Sequence, residues 1–149
     1  MKVFIASDHA GFAKKQELAS GLEKDFEIHD MGPYKLDPDD DYPLYAKKLA
    51  LAVKENLGSM GILLCASGEG MAIAANKVDG IRAATVANVA AAKHTRRDND
   101  SNVLSLAAGD LSNRELKEIS LTWLNEPFPE LERHKRRIEE ITQLEKEAL

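Results

Sequence analysis

The fold is decided by the stretch Met60-Gly-Ile-Leu-Leu-Cys-Ala-Ser-Gly-Glu-Gly-Met-Ala-Ile-Ala-Ala-Asn-Lys77. Its short apolar run at 62–64 is typical of a strand buried on both faces of a parallel sheet, and the alanine-rich run that follows predicts a helix over 71–77. Cys65, the only cysteine, therefore stands at the carboxyl end of a strand, where open α/β sheets bind ligands. The glycine-rich turn after it predicts an anion site made of backbone N–H groups beside a reactive thiol.

Apolar runs and helical patterns alternate along the rest of the chain. The predicted strands cover 3–6, 26–29, 62–64, 81–86 and 103–107, and the predicted helices cover 11–24, 43–56, 71–77, 89–97, 113–124 and about 129–147. Such alternation requires right-handed crossovers and a parallel sheet with helices on both faces. The sequence therefore predicts an α/β fold with a five-stranded parallel sheet in one domain over 1–149.

Composition narrows the class of protein. The chain has 149 residues and a formal net charge of −5, from 20 Lys+Arg against 25 Asp+Glu, so we expect no nucleic-acid partner and no acidic membrane surface. No stretch approaches the roughly 20 apolar residues of a membrane span. One cysteine cannot form an intramolecular disulfide, which favours a reducing, cytoplasmic location.

Polar residues follow the first predicted strand and should share its edge with Cys65. Asp8 and His9 can hydrogen-bond sugar hydroxyls or move a proton, whereas the simpler interpretation is that Asp8 caps the next helix. The longest irregular segment, 31–43, contains three prolines and four aspartates and is predicted to be a loop. Loops on a rigid scaffold are common places for functional residues.

Cys65 and the turn at 66–70 can be interpreted either as structural or as part of a functional site. Cys65 can be a small buried apolar residue, as most isolated intracellular cysteines are, but two nearby glycines and the Ser67 hydroxyl favour a site. The turn lacks a dinucleotide fingerprint, because the third glycine position is Ile73, and it lacks the Walker lysine. The charge of Glu69 argues against a nucleotide triphosphate.

The basic run 133–137 is also open to several interpretations. A solvated helix face is the usual one, and nucleic acid is another. Arg133 and Arg137 are four residues apart on one predicted helix face, which suits a two-armed grip on one phosphate. An apolar stripe on the same helix predicts that it docks on its own domain or on a partner subunit, where its arginines can complete the neighbour's site.

Together, seven motifs resemble the B-type ribose-5-phosphate isomerases and the related galactose-6-phosphate and allose-6-phosphate isomerases. The motifs run in order along nearly the whole chain: Ser7-Asp-His-Ala-Gly11, Asp41-Tyr-Pro43 with Ala46, Gly61-Ile-Leu-Leu-Cys65, Ala74-Ala-Asn-Lys77, Gly80-Ile-Arg-Ala83, Asn99-Asp100 with Asn102-Val103, and Arg133-His134 with Arg137. The resemblance implies a three-layer Rossmann-like α/β/α sandwich. It also implies a homodimer, or a dimer of dimers, with sites at the interface, and an aldose–ketose isomerase of sugar phosphates without metal or other cofactor.

The resemblance also implies roles for individual residues. Cys65 is the base that moves the proton between C2 and C1 through an enediolate. Some relatives use a glutamate as the base instead, but this chain has Met71 at that position, so it resembles the thiol type. Ser67 and the turn stabilise the oxyanion. Asp98 stands where many relatives have the histidine that assists ring opening, and our own hypothesis is that Asp98, alone or oriented by His94, takes that role. The substrate-binding residues that it implies are Asp8, His9, Tyr42, Ala66, Gly68, Glu69, Gly70, Met71, Asn99, Arg133 and Arg137.

Two departures bear on the substrate. Many relatives have a histidine where this chain has Asp98, and an arginine where it has Asp110. His94 lies four residues before Asp98, so the sequence predicts that the two share a helix face, either for ring opening or as a surface ion pair.

Ribose 5-phosphate is the expected substrate. A six-carbon sugar phosphate is an alternative within the class, and a weakly catalytic sugar-phosphate binding or regulatory module is one outside it. A thiol redox role is a third alternative, disfavoured because the chain has no resolving cysteine.

Overall fold

A five-stranded parallel sheet forms the centre of the computed structural model, which describes residues 1–147. The strands are β1 (Lys2–Ser7), β2 (Glu27–Asp30), β3 (Met60–Cys65), β4 (Ala83–Thr85) and β5 (Val103–Ala107), in the spatial order β2-β1-β3-β5-β4. The chain moves from β1 outward to β2 and then returns to place β3 on the other side of β1. The carboxyl ends of β1 and β3 therefore flank a topological switch point, where such sheets form a ligand crevice.

Residues 1–147 form six helices, of which the first five cover the two faces of the sheet and the last packs against the fourth. They are α1 (Phe12–Leu22), α2 (Tyr42–Glu55), α3 (Glu69–Ala75), α4 (Val89–Asn99), α5 (Asn113–Asn125) and α6 (Glu132–Glu147). One apolar core joins α1, α4 and α5 to the sheet, and a second joins α2 and α3 to its opposite face. The predicted three-layer α/β/α sandwich is confirmed.

The helix starts follow from local capping. Asn88 caps α4 by accepting a hydrogen bond from the Ala91 N–H at 2.8 Å, and Ser112 and Glu115 form a reciprocal capping box on α5. The first helix begins later than the sequence indicates, because His9–Gly11 forms a 3-10 turn before α1. The fourth strand is shorter than the predicted 81–86, because the Ile81 N–H closes a turn onto the Val78 carbonyl.

A buried lysine fixes the start of the long loop between β2 and α2. The Lys15 ammonium is enclosed in the protein and donates to both carboxylate oxygens of Asp30, at 2.7 and 2.9 Å, and to the Pro33 carbonyl at 2.7 Å. A buried charge is tolerated when it is paired and hydrogen-bonded in this way. The loop thus leaves the sheet on a fixed path toward the carboxyl edge.

The last helix, α6, lies against α4 and is joined near its end to the Gly80 N–H, which donates to Glu145 at 2.8 Å. Ile141 and Leu144 on α6 are largely exposed. Among residues 1–147, no helix is long and apolar enough to cross a membrane.

Candidate active site

Cys65 ends β3 at the switch point, and its side chain is buried. The Gly68 N–H donates to its sulfur at 3.1 Å, so the sulfur is fixed against the turn that follows. The backbone of the turn therefore holds the thiol in one orientation at the carboxyl edge of the sheet.

The turn after Cys65 requires its glycine at position 68. Gly68 has a φ of 78°, and a Cβ added there would lie 2.9 Å from the Leu106 carbonyl carbon. The Gly68 carbonyl accepts hydrogen bonds from the hydroxyls of Thr85 and Ser105, which tie the turn to β4 and β5. The turn is thus tied to the two strands that follow β3 in the sheet.

The N–H groups of this turn are partly engaged within the chain. Gly68 donates to Cys65, and Glu69 donates to the Ser67 hydroxyl at 3.3 Å. As the second and third residues of α3, Gly70 and Met71 have no carbonyl partner within the helix. These two N–H groups and the exposed Ser67 hydroxyl are the donors that can face a developing oxyanion.

Asp8 and His9 lie beside this turn, as the parallel register predicts. The Asp8 N–H donates to the Leu64 carbonyl at 3.2 Å, and Asp8 Oδ1 accepts from the Gly11 N–H at 3.1 Å. Asp8 therefore does cap the 3-10 turn, as the simpler interpretation held. Because only Oδ1 is used in this bond, capping does not preclude a second role for the carboxylate.

His9 is bound to a residue that the sequence does not single out. Its Nδ1 lies 2.7 Å from Asp40 Oδ1, and its backbone N–H donates to the same oxygen at 3.2 Å. The pKa of the His9 imidazole lies above its ordinary value of 6.5, chiefly because the hydrogen bond to Asp40 stabilises the charged ring. His9 can therefore place a positive charge at the carboxyl edge of the sheet.

Asp8, His9 and Asp40 also offer three ligand-type atoms within 4.8 Å of one another. Two ligands of a tetrahedral zinc ion, with bonds of about 2.0–2.1 Å, stand about 3.3 Å apart. The 2.7 Å between His9 and Asp40 is instead a hydrogen-bond distance with a proton between the atoms. We interpret the cluster as a group for proton and anion chemistry.

Tyr42 closes the other side of the turn. A Cβ added to Gly70 would lie 2.8 Å from the Tyr42 ring, so the ring lies directly against the backbone of the turn. Tyr42 is the first residue of α2 and is partly exposed. The site predicted around Cys65 is therefore brought together by the ends of β1 and β3 and by the start of α2.

Asp98 and Asn99 lie at the opposite edge of the sheet. They end α4, and the Arg82 guanidinium, just before β4, donates to the Asn99 carbonyl at 2.9 Å. The four steps between the five residues of β5 alone separate the two edges by about 13 Å, at roughly 3.3 Å per step. A groove of about 530 Å³ beside α6 includes Asn99 among its lining residues but not Cys65. Within one chain, the predicted site is divided between two places.

The arginines of α6 belong to the second place. Arg133 Nε donates to His134 Nε2 at 3.2 Å, and the same nitrogen of the buried His134 lies 3.8 Å from Asp98 Oδ1. Arg133 and Arg137 are both exposed. Among residues 1–147 it is His134 that lies beside the Asp98 carboxylate, and no hydrogen bond or ion pair joins Asp98 to the exposed His94.

Residues 3–141 match the family described as Ribose/Galactose Isomerase. The chain belongs to this family. Ribose-5-phosphate isomerase B of Escherichia coli K12 is 38% identical over 145 residues, which cover 97% of this chain and 96% of the relative.

Solved structures agree with this assignment. The crystal structure of ribose-5-phosphate isomerase B from Mycoplasma genitalium with bound ribulose-5-phosphate is 39% identical, with a TM-score of 0.94, and the match covers 98% of this chain and 97% of the other. The Clostridium thermocellum ribose-5-phosphate isomerase B matches with a TM-score of 0.95 and 39% identity over all of both chains. The predicted family and the Rossmann-like fold are confirmed.

Two residues that the sequence analysis does not single out, Asp40 and Lys14, also help to build the region around Cys65. Asp40 is one of four aspartates in a loop, and nothing in the local pattern distinguishes it. The Lys14 ammonium donates to the Ala108 and Leu111 carbonyls, at 2.6 and 2.7 Å, and so fixes the loop that carries Asp110. In that loop, the Gly109 N–H donates to the backbone carbonyl of the exposed Ala66 at 3.0 Å. This bond places the backbone of Asp110 near the turn.

Proposed function

We propose that the protein interconverts ribose 5-phosphate and ribulose 5-phosphate, with Cys65 as the base. The observation that carries the proposal is the Cys65 sulfur held by the Gly68 N–H at the switch point of the sheet, beside Asp8 and the Ser67 hydroxyl. The relatives, among them one structure with bound ribulose-5-phosphate, support the same reaction. The protein is then an aldose–ketose isomerase.

The reaction needs one base and a set of hydrogen-bond donors. The Cys65 thiolate takes the proton from C2 of the open-chain aldose and returns it to C1, while the hydroxyl proton of O2 passes to O1. Ser67 and the N–H groups of Gly70 and Met71 stabilise the enediolate oxygens. Asp8 and Tyr42 bind the sugar hydroxyls, with the turn 66–70 beneath the sugar.

We further propose a homodimer, in the cytoplasm, whose sites are shared between subunits. Asp98, Asn99, Arg133 and Arg137 lie at the opposite sheet edge from Cys65, which supports their completing the site of a second copy. Exposed Ile73, Ile141 and Leu144 supply apolar surface for such an interface. The two arginines then hold the phosphate together with His9.

A panel of aldose phosphates tests the proposed substrate. We expect the highest kcat/KM with ribose 5-phosphate, measured by NMR detection of the ketose, and exchange of solvent deuterium into C1. A higher kcat/KM with a six-carbon aldose 6-phosphate would overturn the substrate. That second candidate is supported by Asp110, which follows the Gly109 N–H bonded to the turn and offers a carboxylate where many relatives have an arginine.

A further inference from the structure

Asp40 differs from the other aspartates of its loop in being enclosed. Its side chain is 3% exposed, whereas Asp37, Asp39 and Asp41 are exposed. One oxygen, Oδ1, accepts hydrogen bonds from both Nδ1 and the backbone N–H of His9. The other oxygen, Oδ2, is buried and has no hydrogen-bond partner within residues 1–147.

Burying a carboxylate with one unsatisfied oxygen is costly unless a positively charged group lies beside it. The His9 ring is the group in position to supply that charge, since its Nδ1 is at 2.7 Å. The two bonds from one residue to one oxygen also fix the ring orientation. The second ring nitrogen, Nε2, is not used in these bonds, and the His9 side chain is 42% exposed.

We propose that Asp40 is a positioning residue for phosphate recognition: its two hydrogen bonds from His9 fix the orientation of the imidazole, so that Nε2–H donates to the phosphate of the substrate. The proposal rests on the function proposed above and assigns Asp40 a part in it. Asp40 itself does not touch the sugar phosphate. It acts through His9, as the carboxylate partners of functional histidines commonly do.

Charge matching explains why such a partner is useful. A phosphate monoester loses its second proton near pH 6, whereas an ordinary histidine is mostly neutral above about pH 6.5. The hydrogen bond to Asp40 is the largest cause that raises the pKa of His9, and the charges of Asp8 and Asp37 act in the same direction. Tyr45, which also faces Asp40, remains neutral because burial raises its pKa. The dianion and the imidazolium therefore coexist between the ordinary and the raised pKa of His9.

Asp40→Asn, which preserves size, tests the proposal, and Asp39→Asn is the matched control because it removes the same charge one residue away without touching His9. An NMR titration of the His9 ring, assigned with His9→Gln, should show a lower midpoint in Asp40→Asn and an unchanged one in Asp39→Asn. Because the raised pKa is lost, the variant should be impaired most above pH 6.5. The impairment should decrease below that pH as His9 becomes protonated without Asp40.

The kinetic readout separates positioning from a structural role. At pH 7.5 we expect KM for ribose 5-phosphate to rise about tenfold in Asp40→Asn, the effect of one charge-assisted hydrogen bond, with kcat changed less than about twofold. In the His9→Gln background, Asp40→Asn should add no further change in KM. A fall in kcat with an unchanged KM would overturn the proposal. A further rise in KM when Asp40→Asn is added to His9→Gln would also overturn it.

Binding measurements distinguish failure of this proposal from failure of the proposed function. Calorimetry with inorganic phosphate and with a pentitol 5-phosphate, which cannot isomerise, should show weaker binding of both to Asp40→Asn. Unchanged binding and an unchanged His9 midpoint in a folded variant would overturn the role of Asp40. If Asp40→Asn binds both ligands more weakly but the wild-type protein is inactive on ribose 5-phosphate, only the proposed substrate is overturned. If Asp40→Asn does not fold, binding by His9→Gln decides, since unchanged phosphate affinity there overturns the proposal.

Discussion

The two edges of the sheet hold their functional groups in different ways. At the carboxyl edge, Cys65 and the turn after it are fixed by backbone hydrogen bonds and by hydroxyls of neighbouring strands. At the opposite edge, Arg133 and Arg137 are long, exposed side chains on a helix packed against α4. The groups of the first region are fixed by the fold of one chain, whereas the two arginines of the second region are exposed on the surface of a helix.

This difference suggests a division of tasks between the two regions. A base must lie within hydrogen-bond reach of a carbon-bound proton, so it benefits from a rigid support. A phosphate can be gripped by flexible cations that a second copy brings to it, because charge-assisted hydrogen bonds tolerate some variation in approach. Substitutions at the two edges should therefore affect different kinetic constants.

The largest effect is expected from Cys65→Ala. Because it removes the proposed base, kcat should fall at least about a hundredfold, the lower range for general base catalysis. Affinity for a pentitol 5-phosphate and the circular dichroism spectrum should remain near those of the wild type. A variant that keeps more than about a tenth of the wild-type kcat would show that another group moves the proton.

The next effect tests the opposite edge. Changing Arg133 and Arg137 together to alanine should raise KM for ribose 5-phosphate about tenfold or more, with a smaller change in kcat, since two charge-assisted hydrogen bonds to the phosphate are lost. Lys135→Ala and Arg136→Ala together form the matched control, because they remove two positive charges from the same helix.

Mixed dimers then test whether the site is shared. The mixed dimer contains one Cys65→Ala subunit and one subunit with the double arginine change. If the site is shared, one of its two sites has both an intact Cys65 and an intact arginine pair. A random mixture should regain about a quarter of the wild-type activity, since half of the two-fold symmetric dimers are mixed. No recovery in verified mixed dimers would place the arginines at the site of their own chain.

A smaller, substrate-dependent effect is expected from Asp98→Asn and His134→Gln. If Asp98, paired with His134, assists ring opening, both variants should lose about tenfold in kcat/KM on cyclic ribose 5-phosphate. Neither should lose activity on a four-carbon aldose phosphate, which cannot close the ring. His94→Gln is the control on the same helix. A loss with His94→Gln but not His134→Gln would restore the pairing expected from sequence spacing.

The contrast between the edges also separates what the sequence predicts from what it does not. The proximity of Asp8 and Cys65 follows from two apolar runs and the rule that parallel strands end at the same edge. The spacing of Arg133 and Arg137 predicts a shared helix face, but periodicity contains no information about which sheet edge that helix approaches. The pairing of Asp98 with His134 likewise joins two helices, and spacing along one helix gives only His94 as a partner.

Asp40 illustrates a second limit. It lies among aspartates of the same local character, and only the path of the loop, which the buried Lys15 fixes at its start, determines which of them is enclosed. The length of β4 is a smaller example, because the turn at Ile81 competes with the apolar run that predicts a longer strand. In both cases a tertiary contact decides between residues that local patterns treat as equivalent.

The smallest effect is expected from Gly70→Ala, which tests how rigid the carboxyl edge is. The new Cβ would lie 2.8 Å from the Tyr42 ring, which is partly exposed and can swing outward instead of disrupting the fold. We expect KM to rise about threefold, because a displaced Tyr42 loses one neutral hydrogen bond to the sugar, worth roughly 0.5–1.5 kcal/mol, while kcat and the unfolding midpoint stay near wild type. Gly21→Ala on α1, whose nearest neighbour atoms are 3.5 Å away, is the control and should leave both kinetic constants unchanged. A kcat reduced as much as in Cys65→Ala would mean that Tyr42 and the turn act as one unit with the base.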